Sequence, residues 1–182
     1  IRTIIENETY KLIGFGHGRT LSAAVDLLPG IKTKSLKFVS VLGGLTRRFA
    51  ASPFDVIHRV AEKTGAEAYV MPVPFFANTV KDKKVLEMQA GVAEVIDMAR
   101  KAEIYIAGIG EVDKNSFIAS AGMVDDEDSA ALVKSGIAAE LLGQFFKADG
   151  THVPNAVSDR ALAPSIDDLR QQVAQIPVES FL

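Results

Sequence analysis

The stretch Lys11-Leu-Ile-Gly-Phe-Gly-His-Gly-Arg-Thr-Leu21 joins an apolar segment, three glycines and the start of a helical pattern. Residues 10–15 predict a short strand, and the spacing of Leu21, Val25 and Leu28 predicts a helix over 20–28. A glycine-rich turn at a helix N-terminus presents backbone N–H groups and the positive end of the helix dipole to an anion. The same glycines also suit a plain tight turn. The dinucleotide fingerprint is excluded, because the third glycine comes one residue early and no acidic residue follows at the required distance.

Composition bounds the class of protein. The chain has 182 residues, 48% of them hydrophobic, and a net charge of −3, which suits one α/β domain. Without a dense Lys/Arg run, this segment is not expected to hold nucleic acid by itself. The absence of cysteine excludes disulfides and thiolate metal sites. No signal peptide or apolar run of transmembrane length is present, so we expect a cytoplasmic protein with no membrane partner.

The remaining elements alternate between strand and helix patterns. Further strands are predicted over 36–42, 68–71 and 104–108, with a last strand over 177–182. Helices are predicted from Ser52-Pro53 to about Thr64, over 85–102, near 116–121 and 127–134, and, capped by Ser165, over 165–171. The hydrophobic pattern of residues 138–146 fits either a helix or a strand. Residues 148–151 predict a turn, with 152–153 as a hairpin return.

This rhythm predicts a mainly parallel sheet with helices on both faces. The strand over 104–108 is apolar throughout, which predicts a central position. In such sheets ligands bind beyond the carboxyl ends of the strands. The glycine-bearing loops after the first, second and fourth strands, and Pro72-Val-Pro74 after the third, should therefore meet at one crevice.

The ordered set of loop motifs resembles a known family. The matching segments are Gly16-His-Gly-Arg-Thr-Leu21, Val41-Leu-Gly-Gly44, Met71-Pro-Val-Pro74, Ala107-Gly-Ile-Gly-Glu-Val112, and Gly136-Ile-Ala-Ala-Glu-Leu-Leu-Gly-Gln-Phe-Phe146, followed by Ala148-Asp-Gly, Asp159-Arg160 and Asp168-Leu-Arg170. Over essentially its whole length the chain resembles the effector-binding domain of SorC/DeoR-type sugar-responsive transcriptional regulators. The resemblance implies a three-layer, Rossmann-like fold similar to glucosamine-6-phosphate deaminase, ribose-5-phosphate isomerase and CoA transferases. It also implies a phosphorylated sugar or related metabolite as effector, and a homo-oligomer, either a dimer or a tetramer.

Two parts of the family pattern are absent from these 182 residues. The preceding helix-turn-helix domain is missing, and so is a later Gly-Gly-x-x-Lys segment that would help to hold the ligand phosphate. We therefore expect residues 1–182 to be an effector-binding domain truncated at both ends, with operator DNA bound only through the absent N-terminal domain. The missing segment suggests that residues 18–20 hold the sugar body while the phosphate binds chiefly elsewhere.

The backbone of Gly18 is one candidate ligand contact, and the glycine-bearing loops contain four more. Arg19 could pair with a phosphate or a sugar hydroxyl, and Thr20 could donate its hydroxyl; the alternatives are a solvated arginine and a helix-capping threonine. Gly43 and Gly44 could supply backbone N–H groups, or simply make a tight turn.

Two further candidates come from apolar surroundings. Phe75 could wall the crevice, although an aromatic residue after a strand also suits the core. Glu140 stands at the position where the family has an acidic residue, in apolar company, and a buried carboxylate needs a partner. Sugar hydroxyls or a structural salt bridge would supply one.

Other polar residues are not expected to form a catalytic or metal site. His17 suits acid–base chemistry, but with no second catalytic group near it in the sequence we expect it to pack in the loop. The run Asp125-Asp-Glu-Asp128 predicts a solvated helix start rather than a metal cluster. No metal or cofactor is expected.

Three functions remain open at this point. The first is a non-enzymatic sensor of a phosphorylated sugar or related metabolite. The second is a sugar-phosphate isomerase or deaminase of similar fold, for which Glu111, Asp113 and Lys114 are the plausible cluster. The third is a purely structural oligomerisation domain, which glycine-lined loops make the weakest of the three.

Overall fold

A computed structural model describes residues 1–7, 9–33, 35–44, 56–113 and 116–168. The elements in chain order are α1 (Arg2–Glu6), β1 (Leu12–Phe15), α2 (Arg19–Asp26), β2 (Lys37–Ser40), α3 (Ile57–Thr64), β3 (Glu67–Tyr69), α4 (Val80–Glu87), α5 (Ala90–Arg100), β4 (Ile104–Ile106), β5 (Gly110–Glu111), α6 (Phe117–Ser120), α7 (Asp126–Lys134), β6 (Ala139–Leu141), β7 (Gln144–Phe146) and a 3₁₀ turn (Ser158–Arg160). The predicted start at Ser52-Pro53, residues 169–171 of the helix predicted over 165–171, and the strand over 177–182 lie outside the described residues.

A four-stranded parallel sheet forms the centre of the fold, in the order β3-β2-β1-β4. Ile13 of β1 lies opposite Phe38 of β2 on one side and Ile104 of β4 on the other. The predicted parallel sheet is confirmed. The predicted central position of the fourth strand is wrong within the described residues, because β4 forms the edge and its residues are only half-buried.

Two apolar clusters cover the two faces of this sheet, because successive side chains of a strand point to opposite sides. Ile13, Phe15 and Phe38 face one side, where they pack with buried residues of α1, α2 and α3. Val39 faces the other side, together with Val92 and Ala99 of α5. The predicted arrangement of helices on both faces is therefore confirmed.

The single long helix predicted over 85–102 is wrong. The chain forms α4 and α5 instead, separated at Gln89, whose backbone is extended with ψ of 128°. The apolar residues of this segment are not all buried either, because Val85 and Met88 are exposed while Val92 and Ala99 are buried. Helix α5 packs against the sheet, and the Tyr105 hydroxyl donates a 2.7 Å hydrogen bond to the Ala99 carbonyl near the end of α5.

A small antiparallel sheet in the order β5-β6-β7 lies beyond the main sheet. Residues 138–146, which fit either period, form the β6–β7 hairpin with its turn at Leu142-Gly143. The predicted turn at 148–151 follows it, and His152 bridges back to Phe146 as expected. None of the helices in the described ranges is both long and apolar enough to cross a membrane.

Candidate functional site

A pocket of about 270 Å³ opens at the carboxyl ends of β1 and β4. It lies between the loop that leads from β1 into α2 and the loop that leads from β4 into β5, where a parallel sheet is expected to bind its ligand. Among the described residues its lining consists of His17, Gly18, Arg19, Thr20, Leu21, Gly108, Ile109, Gly110, Glu111, Phe117 and Glu140. Four predicted contacts therefore meet here, namely Gly18, Arg19, Thr20 and Glu140.

The N-terminus of α2 forms one wall of this pocket. Gly18 is its N-cap residue, with φ of 132°, and no side chain caps the helix. The first N–H groups of a helix have no partner within the helix and favour a negatively polarised ligand atom. Arg19 and Thr20 follow directly and are exposed. Thr20 is thus not the capping residue, and its hydroxyl is available to a ligand.

Glu140 reaches the pocket because β6 pairs with β5, which places Glu140 opposite Gly110. Its side chain is buried, and its Oε1 accepts a 2.6 Å hydrogen bond from the backbone N–H of Gly143. Burial raises the pKa of the Glu140 carboxyl to about 7, and the Gly143 bond opposes this shift. Among the described residues no cation contributes to the pKa shift of Glu140, so the salt-bridge alternative lacks a partner there.

His17 lines the same pocket from the β1–α2 loop. Its ring makes edge-on contacts with Phe75 and Phe117, at centroid distances of 5.6 and 5.5 Å. The Nε2 atom is enclosed, and the described residues offer it no hydrogen bond. Burial lowers the pKa of His17 to about 4, so the ring is neutral near pH 7. The expected packing role accounts for the ring contacts but leaves Nε2 without a partner.

A second cavity, of about 20 Å³, adjoins the floor of the pocket. His17, Gly108, Phe117 and Glu140 line both spaces. Phe75, predicted as a wall of the crevice, lines this inner cavity and is also part of the core, with 2% of its surface exposed. Phe75 is therefore a core residue that also lines the inner cavity, and its role as a ligand contact stays a prediction.

Gly43 and Gly44 occupy the next part of the same sheet edge and are buried. The Gly43 N–H donates a 3.0 Å hydrogen bond to the Leu162 carbonyl. A Cβ atom at this position would collide with the Pro74 carbonyl oxygen, so glycine allows the loops after β2 and β3 to pack together. The structure thus supports the interpretation of a tight turn. That the backbone N–H groups of Gly43 and Gly44 bind the ligand stays a prediction.

The acidic run is a helix start, as predicted. Asp125 caps α7 by accepting a 2.8 Å hydrogen bond from the Asp128 N–H, while Asp128 pairs with Arg160 at 2.6 Å. In the part of the chain that the structure describes, no group of three or more acidic or histidine side chains could hold a metal ion. Of the predicted enzyme cluster, Glu111 lines the pocket and Lys114 lies outside the described residues.

Comparison with known proteins identifies the family. The model of a sugar-binding domain, Sugar-bind, matches residues 1–179. The chain belongs to this sugar-binding domain family. The domain is 49% identical over 168 residues to the erythritol catabolism regulatory protein EryD of Brucella abortus, covering 92% of this chain and 53% of that protein. It thus spans about half the length of this curated relative.

Solved structures support the fold of the sugar-binding domain. A DeoR family transcriptional regulator from Listeria monocytogenes matches with a TM-score of 0.79 at 18% identity, over 92% of this chain and 66% of that chain. The full-length sorbitol operon regulator SorC from Klebsiella pneumoniae matches with a TM-score of 0.73 at 18% identity, over 93% of this chain and 55% of that chain. The expected SorC/DeoR resemblance and Rossmann-like fold are confirmed.

Proposed function

We propose that this sugar-binding domain is the effector-binding part of a bacterial transcriptional regulator, and that its effector is a phosphorylated sugar or a related carbohydrate. The observation that carries the proposal is the polar pocket at the sheet edge, which is lined by both an uncapped helix N-terminus and Glu140. Carbohydrate hydroxyls both donate and accept hydrogen bonds, so they can satisfy the two groups together. The family match and the regulator relatives support the same conclusion.

The proposed contacts divide between rim and floor. Gly18, Arg19 and Thr20 would bind from the rim, through backbone N–H groups, the guanidinium and the hydroxyl. Glu140 would accept a hydroxyl at the floor. Of the charged side chains lining the pocket among the described residues, one is cationic, Arg19, and two are acidic, Glu111 and Glu140. This balance favours the neutral sugar body in the pocket, with a phosphate held outside it.

A four-carbon polyol is the first effector to test. The relative EryD is named for erythritol catabolism, and its identity to this domain is 49% over nearly the whole chain. We therefore propose erythritol or its phosphate as the effector class. In the regulator, the effector would shift the balance between two arrangements of subunits in a homo-oligomer, and so change the affinity of a separate domain for operator DNA.

Titration calorimetry of the purified protein with erythritol, erythritol 4-phosphate and a panel of aldose phosphates tests this function. We expect saturable binding of at least one of them and a weaker affinity in Glu140→Ala. The matched control is Glu62→Ala, because Glu62 lies on α3, away from the pocket. Absence of binding by every compound, or an unchanged affinity in Glu140→Ala, would count against the proposal.

We further propose that the domain has no enzymatic activity. The relatives are transcriptional regulators, and they do not favour the isomerase or deaminase alternative. The purified protein should leave ribose 5-phosphate and glucosamine 6-phosphate unchanged during long incubation. Measurable turnover of either compound would establish the enzyme alternative instead.

A further inference from the structure

The inner cavity behind the floor of the pocket has the dimensions of one hydroxyl group. Its volume is about 20 Å³, and a water molecule requires roughly 10–15 Å³ of such space. An alcohol oxygen is of similar size.

The lining of the inner cavity is apolar except for two side chains. Leu42, Phe75, Phe117 and Leu142 form the apolar walls, and His17 and Glu140 are the lining residues with polar side chains. A purely apolar cavity of this kind stays dry, whereas one with two polar groups favours an occupant that bonds to both. The occupant must therefore be small and polar.

The hydrogen-bonding capacities of His17 and Glu140 match those of an alcohol. His17 Nε2 is enclosed and lacks a partner among the described residues, and leaving such an atom unsatisfied is costly. In Glu140, Oε1 accepts the Gly143 N–H, and the carboxyl has further acceptor capacity. A hydroxyl has one donor and two acceptor sites, so when Nε2 carries the proton the hydroxyl can accept from His17 and donate to the Glu140 carboxyl at the same time.

Charged groups fit this cavity poorly. An anion would be repelled by the Glu140 carboxylate, and it would lose its hydration among the apolar walls. The apolar surroundings oppose a cation too, since burial lowers the pKa of His17 to about 4. A neutral alcohol meets neither penalty.

We propose that the inner cavity is a hydroxyl subsite, in which one alcohol group of the effector bonds to His17 Nε2 and to the Glu140 carboxyl. His17 thereby becomes a specificity-determining residue that requires a hydroxyl at one position of the ligand. The subsite rests on the proposed function, since it adds a contact to the same effector pocket. In the free protein a water molecule occupies the same position.

Crystallography tests the occupancy without knowledge of the natural effector. Crystals of the protein, grown free and then soaked in ethylene glycol, should show a cavity oxygen within hydrogen-bonding distance of His17 Nε2 and of a Glu140 oxygen. We expect water in the free crystal and a hydroxyl oxygen after the soak. A dry cavity in both crystals, or a His17 ring whose Nε2 bonds to the protein instead, overturns the proposal.

Calorimetry tests the specificity with erythritol and each of its monodeoxy analogues. Removing one hydroxyl should weaken binding roughly tenfold to hundredfold for at least one analogue, as expected for an unsatisfied buried polar group. His17→Phe, whose ring fits beside Phe75 and Phe117, should weaken erythritol binding to a similar extent. The His17→Phe variant should bind erythritol with the same affinity as the monodeoxy analogue that the wild type binds more weakly.

The control is His152→Phe, because His152 also contacts an aromatic ring, Phe146, but lies outside the pocket lining. It should bind erythritol like the wild type. Equal affinity of the wild type for erythritol and every monodeoxy analogue overturns the hydroxyl subsite while the sensing function stands. If erythritol and the other carbohydrates all fail to bind but the crystals show the cavity oxygen, the proposed function fails and the subsite stands.

Discussion

Glu140 and His17 are two buried titratable side chains whose pKa values shift in opposite directions. The pKa of Glu140 rises from 4.5 to about 7, so its contribution to stability is present at low pH and is lost as the pH rises to 7. The pKa of His17 falls from 6.5 to about 4, so its contribution is present above pH 6.5 and is lost as the pH falls to 4. Between pH 4.5 and 6.5 the two contributions oppose one another.

Removing either group should expose the pH dependence of the other. In Glu140→Gln, the free energy of unfolding should rise by about 3 kcal/mol between pH 4 and 6.5, because the unfolded state alone protonates its histidine there. In His17→Phe it should fall by a similar amount between pH 4.5 and 7. Urea unfolding at a series of pH values measures both slopes. The double variant supplies the background from other groups, and slopes identical to that background would refute the assignment.

Gly143 links the hairpin turn to the Glu140 carboxyl. Its φ is +78°, and a Cβ atom would overlap the Ala161 Cβ. Gly143→Ala should therefore lower the free energy of unfolding by about 2–4 kcal/mol, through backbone strain and overpacking. It should also weaken effector binding, because the N–H that positions Glu140 would move.

The matched control for Gly143 is Gly150→Ala. Gly150 also has a positive φ, +83°, but a Cβ there meets no atom within 4 Å. Denaturant unfolding should show that Gly150→Ala lowers the free energy of unfolding by about 1–2 kcal/mol, through backbone strain alone. Its affinity for the effector should be unchanged. Equal destabilisation by the two variants would show that the contact with Ala161 is unimportant.

At the scale of elements, pairing between short strands forms the site. β5 has two residues, Gly110 and Glu111, and its pairing with β6 brings Glu140 opposite Gly110. Neither segment has an extended apolar pattern that would predict this contact. The apolar sequence around Glu140 predicted that its carboxylate is a candidate ligand contact. It did not predict that this carboxylate lies near the β1–α2 loop.

Arg160 joins three parts of the chain through its guanidinium. It bonds to the Ala77 carbonyl before α4, to the Ala156 carbonyl, and to Asp128 of α7 at 2.6 Å, where both side chains are largely buried. Arg160→Ala should lower the free energy of unfolding by about 3–5 kcal/mol, because it leaves a partly buried carboxylate without this partner. Thermal and urea unfolding measure the loss.

The control for Arg160 is Arg100→Ala. Arg100 is half-exposed and pairs with Asp97 and Asp168 at 3.6 and 3.7 Å. Because solvent screens such pairs, this variant should lose less than about 1 kcal/mol. A loss in Arg160→Ala no greater than in the control would contradict a structural role for the buried pair.

At the scale of the whole molecule, effector binding should stabilise the folded state. A ligand that binds only the folded protein adds about 2.7 kcal/mol at a concentration one hundred times its Kd. Erythritol or its phosphate, whichever calorimetry shows to bind, should therefore raise the Tm in a concentration-dependent way. Sedimentation with and without that ligand should show a change in association if the effector acts through subunit arrangement. An unchanged Tm would contradict specific binding to the folded state.

The architecture followed largely from local patterns. Apolar runs predicted β1, β2 and β3, and helical spacing predicted a helix over 20–28, where the structure has α2 at Arg19–Asp26. The prediction of one long helix over 85–102 failed because its residues all suit a helix, so the local pattern did not reveal the break at Gln89 between α4 and α5. The prediction of a central position for β4 failed because its apolar sequence did not distinguish a central strand from an edge strand.

The sequence by itself determined the parallel sheet, the edge at which loops gather, and the residue types offered there, because hydrophobic period and turn chemistry are local properties. Tertiary structure decided which of those loops form the pocket. It placed Gly43 in a packed turn against Pro74 and Leu162, and it brought Glu140 and His17 to the lining of one small cavity. Such contacts depend on distant segments, so no local pattern contains them. The shifted pKa values of His17 and Glu140 follow for the same reason, since burial is a property of the assembled fold.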